Sequence, residues 1–409
     1  MLLPLADAQV HVLDRVGALA PGAAALAEAL GRVLAAPVAS TEAVPPFANT
    51  AMDGYAVIAS DTGTASESEP VRLPVVAEVA AGHPAPRPLR PGEAMRIFTG
   101  APVPDGADAI VMVERTERLD KGAAVAIRVP AVANDHIRVA GDDVQVGDEV
   151  FAAGEQITPG HLGVLATIGI GQVSARPRPR VGVLSTGDEL VAGGGALAPG
   201  QIRESNGRTL LALLAEDGFE PVDLGLVPDD EVAITRAIQH GASTCDAVLT
   251  SGGVSMGDID LVKVVLDHLG EMRWMQIAIR PAKPFAFGLV SDTPIFGLPG
   301  NPVSSMVSYE LLARPALRKI AGHPPNRWHR PAVAAVAVEP LSRRPDGKTH
   351  YARVVGQRDA LGTLHVRSAG SQGSHNLTAM ARAHGLAVLP DGDGVAAGDP
   401  VQVLLRANV

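Results

Sequence analysis

The sequence predicts a multidomain α/β plus β protein: a helical N-terminal region with an inserted β module, a central α/β sheet domain and a C-terminal β domain. Three observations lead there. The chain has 409 residues, which at about 150 residues per domain gives roughly two to four domains. From Val181 onward, strand-like and helix-like segments alternate regularly. Short Val-rich runs broken by Pro and Gly lie on either side of that block.

The N-terminal region covers residues 1–175. From 5 to 36 apolar residues recur at spacings of three and four, which predicts a helical hairpin or a helix kinked near Pro21 and Gly22. PVRLPVVAEV, EAMRIFTGAPVP, ADAIVMVE and AVAIRVP then read as strands and turns, so a β module is inserted over about 50–145. ITPGHLGVLATIGIGQV (157–173) returns to helix, with Thr158 as N-cap and Pro159 at the first helical position, packing with the opening helices. Arg176–Arg180 reads RPRPR, where alternating prolines forbid helix. This boundary reads as a solvated hinge in preference to an anion patch.

The α/β domain covers 176–322. VGVLST is its first strand, followed by a helix over roughly 206–217 closed by Gly218, the strand PVDLGLV and a helix from Asp229 to Gly241. DAVLTS, RWMQIAI, PFAFGLV and IFGLP supply further strands, DIDLVKVVLDHLG a helix, and Asn301-Pro302 the N-cap and first residue of the last helix. The sheet is parallel or mixed, with ligands at its βα loops. A Pro-rich seam, HPPNRWHRP, leads into short strands that make residues 328–409 an all-β domain.

Composition narrows the function. Hydrophobic residues are 46% and charged residues 19%, values of a folded globular protein. Aromatics at 3% and a net charge of −10 argue against nucleic acid, which needs exposed rings or a basic surface. The single Cys245 excludes an intrachain disulfide or a Cys-rich zinc site and reads as core. MLLPLADAQV lacks a basic leader, and 156–175, the longest uncharged stretch, carries Pro159 and several glycines. The expectation is a cytoplasmic protein with no membrane span.

The chemistry gathers after predicted strand ends. Ser185-Thr186-Gly187-Asp188-Glu189, Ser251-Gly252-Gly253-Val254-Ser255-Met256-Gly257-Asp258 and Gly297-Leu298-Pro299-Gly300-Asn301-Pro302 should converge at one sheet edge. Their glycines admit an oxyanion to backbone N–H groups, and helix N-termini add positive potential. Glu189, Asp229, Asp230, Asp258 and Asp260 accompany them, hard oxygen ligands that fit Mg²⁺ rather than zinc; an Asp opening a helix is equally an N-cap. Arg280 and Lys283, on the Pro-stiffened loop RPAKP, can grip one oxyanion. Gly347-Lys348-Thr349 fails as a P-loop because Ser342 stands where the first glycine is required. Twelve scattered histidines lack zinc-ligand spacing. Gly253-Val254-Ser255-Met256-Gly257 satisfies G-x-S-x-G, so a hydrolase with Ser255 as nucleophile is a rival, weakened by the missing HGGG-type loop.

Taken in order, PFANTAMDGYAV, RIFTGAPVPDGADAIVMVE, STGDEL, TSGGVSMGDID, RPAKPFAFG, GLPGNPVSS and GSQGSH resemble the MoeA family of molybdopterin molybdenumtransferases, related to the gephyrin E domain, through nearly the whole chain. The resemblance implies a MoaB-like central domain, a barrel-like C-terminal domain, and a homodimer whose site lies between the α/β domain of one subunit and the N-terminal region of the other. It implies Mg²⁺-dependent insertion of molybdate into adenylated molybdopterin with release of AMP, in contact with the adenylating enzyme. Carried over by position, Asp53 and Thr99 resemble partner-facing site residues, and Asp143 a nearby acid. Glu189, Asp229, Asp230 and Asp260 resemble the carboxylates for metal, nucleotide or pterin. Arg280 and Lys283 resemble the molybdate or phosphate cations, Pro299 and Pro302 shape their loop, and Ser255 falls in a phosphate loop. Asn206, Gly252, Gly253, Gly300 and Asn301 complete the substrate-binding set with Ser185, Thr186, Gly187 and Asp188. The chain departs at Ala48, where many relatives carry a charge, at Ala282, where glycine is common, and at Glu204, where Asp is frequent. An adenylyltransferase and a non-catalytic pterin-binding scaffold are the alternatives; the former, as a stand-alone domain, has no need of the MDGYA and FTGAPVP blocks.

Overall fold

The computed structural model describes residues 2–253 and 261–406. The chain opens with the helix Leu5–Leu13, which buries Ala8 and Val12 against the helices near residue 310. The expected second helix is absent. Gly22–Ala25 is instead a strand, paired antiparallel with Gln172–Arg176, and only one helical turn, Leu26–Ala29, follows. Gly31, at φ +78°, ends that turn and sends Val33–Leu34 to the other side of Gln172–Arg176. Apolar spacing here reflects a small sheet whose Ala24 and Val173 pack on Ile157 and Leu165. The helix Pro159–Thr167 forms as expected, with Thr158 Oγ1 accepting the His161 N–H. It stops short of 173 because Gly169, at φ +73°, reverses the chain into the strand.

The inserted module is a six-stranded sheet in the order Ala109–Met112, Gly54–Val57, Ala94–Ile97, Val71–Val79, Ala124–Ile127, Thr116–Leu119. Alternation along Gly54–Val57 sends Tyr55 and Val57 into one core and Ala56 into another.

The central sheet runs Glu220–Val227, Arg180–Thr186, Ala247–Ser251, Thr293–Leu298, Pro284–Val290, Glu271–Gln276. The first four strands are parallel and the last two antiparallel, so the sheet is mixed. Helices Asn206–Glu216 and Pro302–Ser308 cover one face through Leu210, Leu213, Val303 and Val307. Helices Glu231–Thr244 and Leu261–Leu269 cover the other through Ile234, Ile238, Val262 and Val265. Central strands buried on both sides need no polar alternation, which is why VGVLST and DAVLTS read as apolar runs. Cys245 is buried, in keeping with a core role.

The RPRPR segment is solvated at Pro177, Arg178 and Arg180 as expected, but it is not a free hinge. Arg176 donates to the Leu19 carbonyl, Arg178 to the Leu30 carbonyl at 2.6 Å, and Arg180 pairs with Glu220 at 3.0 Å. Arg176 and Arg178 satisfy carbonyls that lie outside any strand, and Arg180 adds an ion pair across adjacent strands, so the boundary is fastened to both sides.

In the C-terminal domain five strands close a barrel: Thr349–Arg358 pairs with Leu364–Ser368, then Ala332–Ala337, Pro400–Leu405 and Gly385–Leu389, which returns to Thr349–Arg358. Ala337, Val354, Val366, Ala387 and Val403 fill it. The domain is not wholly β, since Leu377–Arg382 is a short helix. A strand from outside joins the barrel: Ile279–Arg280 pairs in parallel with Thr349–His350. No helix among the described residues is long and apolar enough to cross a membrane.

Candidate active site

The loops after Thr186, Ser251 and Leu298 do converge. Gly252 N–H donates to the Leu298 carbonyl at 3.1 Å, and Asn206 Nδ2 ties Ser251 Oγ at 2.8 Å to the Gly300 carbonyl at 2.7 Å. Gly252, at φ +95°, lies so close to Thr186 that an added Cβ would stand 3.2 Å from the Thr186 carbonyl oxygen. Gly253, at φ +73°, would overlap Val262 at 2.2 Å. The glycines therefore serve close packing of loops as well as open N–H groups. Ser185 and Thr186 are buried, and Ser185 Oγ donates to Glu204 Oε1 at 3.1 Å. The same oxygen accepts the Gly207 N–H at 2.6 Å. Glu204 thus satisfies the amino end of the helix Asn206–Glu216, a task its extra methylene over Asp does not prevent. Pro299 is buried, Gly300 and Asn301 are exposed, and Pro302 opens the helix Pro302–Ser308; the Asn301 side chain makes no cap bond.

The carboxylates divide by role. Asp188 Oδ1 accepts the Asp229 N–H at 3.0 Å and Asp229 Oδ2 the Asp188 N–H at 3.4 Å, a reciprocal clasp between two loops. Asp230, not Asp229, is the N-cap of Glu231–Thr244, accepting the Ala233 N–H at 2.8 Å. Glu189 is exposed, and its carboxylate has no hydrogen bond or ion pair among the described residues. Gly187, at φ +144°, makes room for it, since a Cβ there would sit 2.6 Å from Glu189 Oε2. No group of three or more His, Cys, Asp or Glu side chains gathers as a metal cluster among the described residues. Ser255, Asp258 and Asp260 lie outside the described residues. The donor set fits Mg²⁺ in the mode in which one or two carboxylates and substrate phosphates share the ion, because Glu189 brings unspent hard oxygen beside glycine N–H groups.

A second arrangement lies against the barrel wall. Arg280 and Lys283 are exposed and line a cavity of about 310 Å³ with Ser304, Asp346, Lys348 and Gln372. A neighbouring cavity of about 420 Å³ shares Arg280, Pro281 and Gln372 and adds Arg343, His350 and Arg353. Arg353 is 1% exposed. Its Nη2 donates to the carbonyls of Ser371 at 3.1 Å and Gly373 at 3.0 Å, while Nε has no partner. Burial pulls the guanidinium down to about 10, still charged at neutral pH. Gln372 clamps the backbone of Arg353 from both sides, accepting its N–H at 2.8 Å and donating to its carbonyl at 3.0 Å. Asp346 accepts from Arg343 at 2.9 Å, Lys348 at 2.9 Å and His350 at 3.1 Å, and stands 3.8 Å from Arg280. The Lys348 bond above all holds its carboxyl down, at about 2. Ala282, between the two cations of RPAKP, has φ +75°, the left-handed region that glycine prefers.

The N-terminal module brings two expected residues together. Asp53 Oδ1 accepts both the Thr99 N–H and the Thr99 hydroxyl, each at 2.7 Å. These bonds, with a smaller contribution from Arg96, hold the Asp53 carboxyl below its usual range. The pair forms because Gly54 and Ile97 face each other in adjacent strands, which sets the loop ends side by side. Asp143 is exposed on a turn whose backbone bonds to Val44. Among the described residues no hydrogen bond or ion pair joins Asp53, Thr99 or Asp143 to the α/β loops. The sequence singles out neither Arg353 nor Asp346, and it presents Lys348 only in a failed P-loop and Gln372 only within GSQGSH. The GSQGSH block was the available signal, as its Ser371, Gln372 and Gly373 are the residues that hold Arg353.

Comparison with known proteins agrees with this architecture. Residues 3–169 match the MoeA N-terminal region (domain I and II), 182–319 a probable molybdopterin binding domain and 337–405 the MoeA C-terminal region (domain IV). The chain is 41% identical over 401 residues to a molybdopterin molybdenumtransferase 2 of Mycobacterium tuberculosis, covering 96% of each. It is 39% identical over 380 residues to the molybdopterin molybdenumtransferase of Haemophilus influenzae, covering 92% of each. A solved molybdopterin biosynthesis MoeA protein from Pyrococcus horikoshii superposes with a TM-score of 0.82 at 28% identity, over 99% of this chain and 100% of that one. With all three regions matched in order and most of its length shared with such relatives, the chain belongs to the MoeA family.

Proposed function

We propose that the chain is a molybdopterin molybdenumtransferase that takes molybdate and adenylated molybdopterin, uses Mg²⁺, releases AMP and leaves molybdenum on the pterin dithiolene. One observation carries the reading. The helix Pro302–Ser308 starts from the loop that Asn206 fastens to the carboxyl edge, and its Ser304 lines the cationic cavity. A place for phosphates and a place for a second oxyanion are thereby adjacent.

The chain's own groups divide the work. Backbone N–H groups of the loops at Gly187, Gly253 and Gly300 receive phosphate oxygens, the Gly252 N–H being held by the Leu298 carbonyl, and the helix amino ends behind them add positive potential. Arg280, Lys283 and Arg353 hold the tetrahedral dianion; burial of Arg353 strengthens its field, because little water screens it. Asp346 supplies the resting counter-charge for Arg280. Glu189, with Asp260, would hold Mg²⁺, which neutralises phosphate charge as the anhydride opens. Asp53, kept ionised by Thr99, and Asp143 face the site of a second subunit, making the working unit a homodimer. The MDGYA and FTGAPVP blocks give this reading weight over an adenylyltransferase. We place the reaction in the cytoplasm, where a lone buried thiol stays reduced.

The test is AMP release from adenylated molybdopterin by the purified chain with Mg²⁺, with and without molybdate, followed by metal analysis of the pterin. Molybdate-dependent release with metallated product is the expected result. Molybdate-independent release with metal-free pterin sinks the assignment, and binding without turnover favours a scaffold.

A further inference from the structure

A further cavity, of about 290 Å³, opens where the helix Leu5–Leu13, the π-helical turn Tyr309–Ala313 and the barrel meet. Its charged side is a network of buried groups. Glu310 accepts from Arg330 Nε at 2.9 Å and Arg406 Nε at 2.8 Å. Asp217 accepts from Arg314 Nε at 2.9 Å, the Tyr309 hydroxyl at 2.7 Å and, as an ion pair, Arg330 at 3.1 Å. Three guanidinium groups therefore meet two carboxylates, and the arginine side chains are only 7%, 16% and 12% exposed. Among the described residues, one positive charge of this set is left without a counter-ion where water is scarce, a costly arrangement that an added anion relieves. Arg318 stands beside this network and adds to the excess.

Two further features show an unfilled recognition surface. Tyr351, 6% exposed, lines the cavity, and its hydroxyl makes no hydrogen bond among the described residues. Its oxygen keeps solvent contact, so it is open to donate to a ligand. Among the described residues Arg406 spends only Nε on a side-chain acceptor, which leaves its two terminal nitrogens for a ligand. Leu5, Leu311, Leu386 and Leu404 supply the apolar part of the wall. None of these residues belongs to the carboxyl edge or to the Arg280–Lys283 loop.

We propose that this cavity binds a small organic carboxylate with an apolar body: the carboxylate on Arg406 and Arg330, the body against the leucines, and a ligand oxygen accepting from Tyr351. Tyr351 also lines the 420 Å³ cavity beside Arg353. The two sites share the strand Thr349–Arg358 as a common wall.

The probe is 4-hydroxybenzoate, titrated calorimetrically into the full-length chain, with its neutral methyl ester as the matched control. Saturable binding of the acid is expected, with the ester weaker by about tenfold or more, as for a lost charge-assisted bond. Arg406→Met weakens the acid to the same degree. Tyr351→Phe removes a hydroxyl that serves nothing in the fold, so its melting temperature holds while affinity for the acid falls severalfold. Where Arg406→Met loses its fold because buried Glu310 gives up one of its two arginine partners, Tyr351→Phe and the ester decide. Absence of saturable binding by the acid, equal affinity for the ester, or unchanged affinity in Tyr351→Phe each overturns the proposal.

Discussion

Under the proposed function, the carboxyl edge of the α/β sheet and the cationic cleft beside the barrel would each hold an oxyanion, by opposite means. At the edge the binding atoms are backbone N–H groups, freed by glycine and held in place by Asn206, and the side chains nearby are acids. In the cleft the binding atoms are side chains, and Arg353 is locked by Gln372 and two carbonyls. The first arrangement tolerates a cation among the phosphates, since Glu189 and its neighbours add negative charge. The second disfavours one, because Arg280, Lys283, Arg343 and Lys348 outnumber Asp346 among its lining residues. On that reading a metal-bound nucleotide and a bare oxyanion would be sorted by charge before any finer contact is made.

The contrast breaks most sharply at Arg353. Arg353→Met is expected to raise the molybdate concentration for half-maximal AMP release by about a hundredfold, with Arg353→Lys no rescue, since a lysine cannot reach both carbonyls and the anion. Glu189→Gln should instead shift the Mg²⁺ titration and leave molybdate dependence in place; if both variants move the same titration, the division of labour is wrong. Asn206→Ala, which frees Ser251 and Gly300, is expected to cost about 1–3 kcal/mol in urea unfolding.

Asp346 tests the cleft by pH. Its folded carboxyl titrates at about 2 against an ordinary 3.8, so the stability it contributes is complete above 3.8 and disappears as pH falls through about 2. Asp346→Asn lacks that contribution, and the acid unfolding curves of variant and parent should converge at the low end of this window. Parallel curves throughout would mean the cations around Asp346 do not depend on it. Ala282→Gly relieves a left-handed alanine and is expected to stabilise by up to about 1 kcal/mol, read as a small rise in Tm. The smallest effect lies in the N-terminal module: Thr99→Val should let the Asp53 carboxyl return upward toward its normal range, followed by NMR titration.

What the sequence made legible was whatever is local. Strand-loop-helix order in the α/β domain follows from apolar runs and from Gly218 and Asn301-Pro302, and it placed three loops on one edge without tertiary knowledge. Residues 22–34 misled because a one-turn helix and two short strands share the apolar spacing of a continuous helix, and their pairing partner lies some 150 residues away at Gln172–Arg176. The cleft was half visible for the same reason. Arg280 and Lys283 stand three apart, whereas Arg353 is recruited by a loop that only the closed barrel brings round. Asp230 rather than Asp229 as the cap is a one-residue error of the kind that pattern alone does not resolve.

The pairing of Ile279–Arg280 with Thr349–His350 means that Arg280 is covalently part of one domain and hydrogen-bonded as part of another. A barrel cut away at the 323–331 seam would take with it the ladder that orients this residue, together with Asp346. Grafting the barrel of one relative onto the sheet of another would likewise splice through the anion cleft rather than between two finished parts.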